Sequence, residues 1–201
     1  MKQIMRVVDN STYFRLQVAK SLFEDGILTG SASLMLLGFI DRENINDLDI
    51  IFPAYRELPG RIVIRGPVHD YGPTFHGKLN IAYKEDWFKE RYEWLCALEG
   101  VLNIPNKFKT IIDGYWPAVD TFINPAEPYR LYQLNLSTQT DMGMLNSSIV
   151  LKLADTRNTI NAKLQYLLRF DKEHHYEDCM ITLGRLYGGK PLNPNSTFKE
   201  I

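Results

Sequence analysis

Two aspartates one residue apart, Asp47 and Asp49, stand in the otherwise apolar run Leu48, Ile50, Ile51 and Phe52. An unpaired charge in an apolar setting is expensive, so such a run gains nothing from two acids unless a cation meets them. On a strand, residues two apart project to one side, so Asp47 and Asp49 face together while Leu48 and Ile50 face a core. Two carboxylates on one face form a hard oxygen site suited to Mg²⁺ (or Mn²⁺), which commonly takes one or two protein carboxylates and fills its shell with water and substrate phosphate. Alone, the pattern also fits a solvated edge strand.

Upstream, Gly30-Ser31 stands where a turn opens a helix. First-turn N–H groups lack intrahelical partners and lie at the positive end of the helix dipole, so they can hold phosphate oxygens. Glycine lets the backbone approach closely, and the Ser31 hydroxyl adds a donor. By itself Gly-Ser is an ordinary helix cap. Together with the acids it describes a pocket for a triphosphate and its metal. Asp120, in Pro-Ala-Val-Asp-Thr-Phe-Ile, repeats the setting of an aspartate between apolar neighbours and is the candidate third acid. Its rivals are Asp113, before Gly114 in a turn-like context, and Asp70 in a loop.

These residues need a strand, turn, helix and strand to position them. Residues 13–25 put Phe14, Val18, Leu22 and Phe23 at helical spacing, with Gly26 as a stop. A short approach then leads to Gly30 and a helix from about Ser31, and residues 47–53 read as a strand ended by Pro53. Residues 61–66 and 78–83 read as two more strands, joined by a Gly/Pro loop. Trp87, Phe88, Tyr92, Leu95 and Leu98 predict a helix closed by Gly100, and residues 118–125 a short strand stopped by Pro125. From Leu145 to Phe170, Ile149, Leu153, Ile160, Leu164, Leu167 and Leu168 fall on one helical face, predicting one long helix. A shorter helix over 174–186 and a loose tail follow. The expected fold class is α/β of the α+β kind, with a mixed-sheet domain over 1–136 and a helical region over 137–201. On the long helix Lys152 and Lys163 would share a face about three turns apart, either reaching phosphate or snorkelling at the rim of a core.

The chain has 201 residues, 45% of them hydrophobic and 23% charged, with Lys+Arg 23 against Asp+Glu 24. A net charge of −1 gathers no polyanion, so contact with nucleic acid would need a local patch. Two distant cysteines, Cys96 and Cys179, give no disulfide framework and fit a reducing cytosol. Asp9 and Asn10 interrupt any signal-like start, and the apolar stretch from Gly26 to Ile40 is too short to span a bilayer. A cytoplasmic protein without a membrane partner is expected. No zinc is expected either: His174 and His175 point about 100° apart on a helix, and His69 and His76 flank a loop at no specific ligand spacing.

Gly30-Ser31, a helix, and then Asp47-Leu48-Asp49-Ile50 resemble the signature of the polymerase-beta-like nucleotidyltransferase superfamily, over Thr29 to Phe52. The resemblance implies a small mixed-sheet nucleotidyltransferase lobe flanked by helices. It also implies metal-dependent transfer of a nucleoside monophosphate from an NTP to a hydroxyl on RNA, protein or a small molecule, with release of pyrophosphate. On that pattern Gly30 and Ser31 grip phosphate, Asp47 and Asp49 bind Mg²⁺ or Mn²⁺, and Asp120 completes the metal site and activates the acceptor hydroxyl. The superfamily includes aminoglycoside and tRNA nucleotidyltransferases and toxins of abortive-infection systems. Residues 169–178 look like a basic-acidic segment of the toxin-like members' helical lobe, where Arg169 and Lys172 either touch nucleotide or acceptor or line a solvated junction. A non-catalytic nucleotide- or partner-binding module on the same fold is the alternative.

Overall fold

A computed structural model describes residues 2–42, 44–45, 47–51, 74–78, 86–104, 111–115, 128–170 and 173–188. Among these, strand β1 (Lys2–Val7) leads to helix α1 (Asn10–Leu22), a two-residue strand β2 (Ile27–Leu28), helix α2 (Gly30–Leu36) and strand β3 (Asp47–Ile51). Strand β4 (Thr74–Lys78), helix α3 (Asp86–Leu102) and strand β5 (Ile111–Tyr115) follow. Then come the long strands β6 (Tyr129–Thr140) and β7 (Gly143–Ala154) and helices α4 (Thr156–Phe170) and α5 (Glu173–Tyr187). The fold is mixed α/β, with one seven-stranded sheet in the order β1-β6-β7-β2-β3-β5-β4. Parallel and antiparallel pairs alternate strictly across the sheet, from the parallel β1–β6 pair to the antiparallel β5–β4 pair, so β3 runs antiparallel to β2 and parallel to β5.

Alternation of side chains builds the core. Leu48 and Ile50 of β3, Leu134 and Leu136 of β6, and Ile149, Leu151 and Leu153 of β7 are buried in one cluster with Phe14, Val18 and Leu22 of α1. Each such side chain contributes about 1.5–3 kcal/mol when fully buried. Asp9 caps α1, accepting from the Thr12 N–H at 3.1 Å, an arrangement worth about 1 kcal/mol. Helix α2 stops in a Schellman motif. Gly38 (φ 77°) donates to the Met35 carbonyl and Phe39 to the Leu34 carbonyl.

Several elements differ from the sequence-based expectation. The long helix over 145–170 is half strand: β7 runs to Ala154 and α4 starts at Thr156. Ile149 and Leu153 fit a helical face, but Leu151 is buried with them, and a spacing of two belongs to a strand. The boundary expected near residue 136 falls inside β6, whose pairing with β7 continues unbroken across it. Strand β4 occupies the end of the expected loop, and β5 the turn expected at Asp113. Helix α3 passes Gly100 and ends before Asn103, which takes the left-handed conformation (φ 49°). The strands expected over 61–66 and 118–125 and the tail lie outside the described residues, and the 78–83 strand does so beyond Lys78. No helix among the described residues is long and apolar enough to cross a membrane.

Candidate functional site

The junction of β2 and α2 brings the glycine and the acids together. Thr29 N–H donates to the Asp49 carbonyl at 2.8 Å, extending the β2–β3 ladder by one bond. The chain then turns at Gly30 with φ +65°, a conformation that residues with a Cβ rarely adopt. A Cβ built there would overlap the Asp49 carboxylate, 2.6 Å from its Cγ and 2.9 Å from its Cβ. The Asp49 side chain therefore lies directly over the Gly30 backbone. Asp47 and Asp49 are half-buried while Leu48 and Ile50 are fully buried, the alternation expected of a strand with both acids on one side.

Ser31 follows at the same turn. A pocket lined by Ser31, Ala32, Met35, Arg42, Asn44 and Asp47 opens between α2 and β3. On its far side the Ser31 hydroxyl donates to Asp178 Oδ2 (3.0 Å) and accepts from Lys163 Nζ (2.9 Å). Lys163 also pairs with Asp178 Oδ2 at 2.8 Å, and Arg42 Nη2 donates to Asp178 Oδ1 at 2.7 Å. His175 Nδ1 lies 3.5 Å from Lys163 Nζ. Three donors from α2, α4 and the segment after α2 thus converge on one buried carboxylate of α5. Arg185, two turns further along α5, donates to the Gly38 and Phe39 carbonyls, so α5 is tied to α2 and the segment after it at two points. Thr29 and Thr159 share a buried hydroxyl bond (3.1 Å) that ties the start of α2 to α4.

Burial pushes the Asp178 pKa up, but the hydrogen bond and charge of Lys163, the charge of Arg42 and the Ser31 hydroxyl outweigh it, holding the carboxyl below the usual carboxylate range. A group with a depressed folded pKa stabilises fully above its unfolded value, about 3.9, and loses that contribution as pH falls through the folded value beneath it. Melting temperature followed from neutral to acid pH is expected to fall along this limb. Asp178→Asn should flatten that part of the profile and lower neutral-pH stability by about 2–3 kcal/mol, because Lys163 stays buried without its counter-ion. An unchanged acid limb in the variant would separate this cluster from acid stability.

A second cation stands near Asp47. Arg15 of α1 donates to the Ile45 carbonyl at 2.7 Å. Burial lowers its pKa, and the charges of Asp9 and Asp47 oppose that shift.

Of the residues singled out by sequence, Gly30, Ser31, Asp47, Asp49 and Lys163 come together. Lys152 does not join them: as a strand residue it donates to the Asp25 carbonyl (3.2 Å) and lies 5.4 Å over the Tyr129 ring. The shared helical face expected for Lys152 and Lys163 is corrected by β7, which ends before α4 begins. Asp120, Asp70, His69 and Lys172 lie outside the described residues. Asp113 is the register partner of Asp49 on the parallel neighbour β5. Arg42 and Asp178 were not singled out, since no spacing rule links positions so far apart. On α5, Asp178 precedes the buried Cys179 and lies one turn before the buried Thr182.

Asp47 and Asp49 offer hard oxygens at one end of a sheet, a donor set that fits Mg²⁺ or Mn²⁺ and not a thiol- or imidazole-preferring metal. Among the described residues no three His, Cys, Asp or Glu side chains converge as a ligand group, so two carboxylates are the share these residues supply.

No protein-family model, no curated protein and no solved structure matches the chain.

Proposed function

We propose that the protein is a metal-dependent nucleotidyltransferase, transferring a nucleoside monophosphate from an NTP to a hydroxyl on RNA, protein or a small molecule. The observation that carries the reading is the Asp49 carboxylate lying over the Gly30 backbone, with Ser31 and Asp47 lining one pocket beside it. Asp47 and Asp49 would hold Mg²⁺ or Mn²⁺, which when bound neutralises phosphate charge and lowers the pKa of an attacking hydroxyl. Ser31, Lys163 and Arg42 supply donors and positive charge for the triphosphate, with Asp178 keeping the two cations in place between substrates. Gly30 leaves room for the backbone and the acid to approach each other. The third acid of the proposed site is Asp120.

In the reaction the acceptor oxygen bonds to the α-phosphorus, the bond from that phosphorus to the bridging oxygen breaks, and pyrophosphate leaves. Incubation with NTPs labelled at the α or the γ phosphate, Mg²⁺ or Mn²⁺, total RNA and cell extract is expected to leave α-label in a product and γ-label in pyrophosphate. Transfer of γ-label to the product would mean phosphoryl transfer and would reject the reading.

A second reading draws on a specific observation. Ser31 and Lys163 are already bonded to Asp178, which suits a non-catalytic nucleotide- or partner-binding module on the same fold. Metal-dependent NTP binding with no label transferred to any acceptor would favour it.

A further inference from the structure

The sheet has a second face, and over β1, β6 and β7 it is unlike an ordinary solvated surface. Alternation sends Ile4, Leu134, Leu136, Ile149 and Leu151 to the core, so Gln3, Gln133, Asn135, Ser137 and Ser148 stand on the opposite side with Val150. Their polar groups form a ladder across all three strands. Gln3 donates to Gln133 Oε1 (3.3 Å), Gln133 donates to Ser148 Oγ (2.9 Å), and Ser137 donates to Asn146 Oδ1 (2.7 Å). Between them Met5 and Val7 are 60% and 78% exposed, and Leu131 and Val150 47% and 36%. In a chain that is 23% charged, the one charge on this side of the three strands is Lys152, at the end of the face and engaged with the Asp25 carbonyl.

We infer that this face is a two-fold interface between two copies of the chain. A two-fold contact sets a patch against itself, so any charge on it meets its own like. A patch without charge escapes that repulsion. Amides and hydroxyls are both donors and acceptors and can bond to their own kind, which ammonium or carboxylate groups cannot do among themselves. From Leu131 to Gln139 the face runs roughly 27 Å, and three strands span roughly 14 Å. That is about 400 Å² a side, half the roughly 800 Å² per partner of a standard stable interface. An interface of that size makes a weak, concentration-dependent dimer.

The test is sedimentation of the full chain over a range of concentrations, beside Val7→Lys/Val150→Lys, Met5→Lys and, as a control on exposed α5, Met180→Lys. The altered side chains are solvent-facing, and an unchanged melting temperature checks that each variant is folded. Wild type and Met180→Lys are expected to move from 23.3 kDa toward twice that mass, while both sheet-face variants stay at one chain. A wild type that remains one chain at the highest concentration overturns the inference. So does a dimer that survives the sheet-face lysines, or one that only Met180→Lys dissociates.

Discussion

Asp47→Asn and Asp49→Asn are each expected to lower label transfer by about a hundredfold to a thousandfold while leaving the chain folded. Asparagine keeps the shape and loses the charge. A site that works by balancing phosphate charge loses its metal with that charge, and removal of even one well-placed electrostatic group commonly costs about 10²–10³ in rate. The two variants should differ in stability. Asp47 has Arg15 as a neighbouring cation, so its loss removes a favourable charge pair near the surface, worth no more than about 1 kcal/mol. Asp49 lies over Gly30, where the asparagine amide occupies the same space. Initial rates and melting temperatures for both variants check this. Undiminished turnover in both would remove the acids from the chemistry and with them the proposed reaction.

Gly30→Ala is expected to destabilise the fold by about 2–5 kcal/mol, and the effect divides into two parts that can be measured separately. The left-handed backbone at Gly30 costs a residue with a Cβ about 1–2 kcal/mol. Overlap with the Asp49 carboxylate then forces either the acid or the β2–β3 backbone to move, an overpacking cost of typically 1–3 kcal/mol. In Gly30→Ala/Asp49→Ala the overlap is gone and only the backbone strain remains. Denaturant unfolding of the two single variants and the double should therefore give a coupling of about 1–3 kcal/mol, the overlap part. Additive effects would mean that the two residues do not touch.

The part of the site that was legible in sequence is the part built by neighbours in the chain. Gly30, Ser31 and the Asp47/Asp49 pair belong to one strand, turn, helix and strand, and each step carries a local signal: glycine for the turn, alternation for the strand. The hairpin of β6 and β7 was not legible because Ile149, Leu151 and Leu153 satisfy a spacing of two while Ile149 and Leu153 alone also satisfy a helix. That ambiguity misassigned Lys152 to the site. Asp113-Gly114 has the composition of a turn, yet β5 is held as a strand by pairing on both sides, with β3 and β4. Partners fixed that segment where its own residues did not. The cluster of Ser31, Arg42, Lys163 and Asp178 gathers residues from both ends of the chain, and no local pattern reports such a meeting.

The order of strands in the sheet also sets the timing of folding. Lys2 pairs with Tyr132, and Ile27 with Lys152, so the early strands take their places beside β6 and β7, whose sequence is made last among the described strands. At synthesis rates of about 5–20 residues per second, roughly 6 to 25 s separate the appearance of Ile27 and of its partner. Closing such long loops before any contact compensates is also what slows folding intrinsically. Through that interval Phe14, Val18 and Leu22 of α1 lack the β6 and β7 side chains that will cover them, so the apolar face of that helix waits on the late strands for its cover.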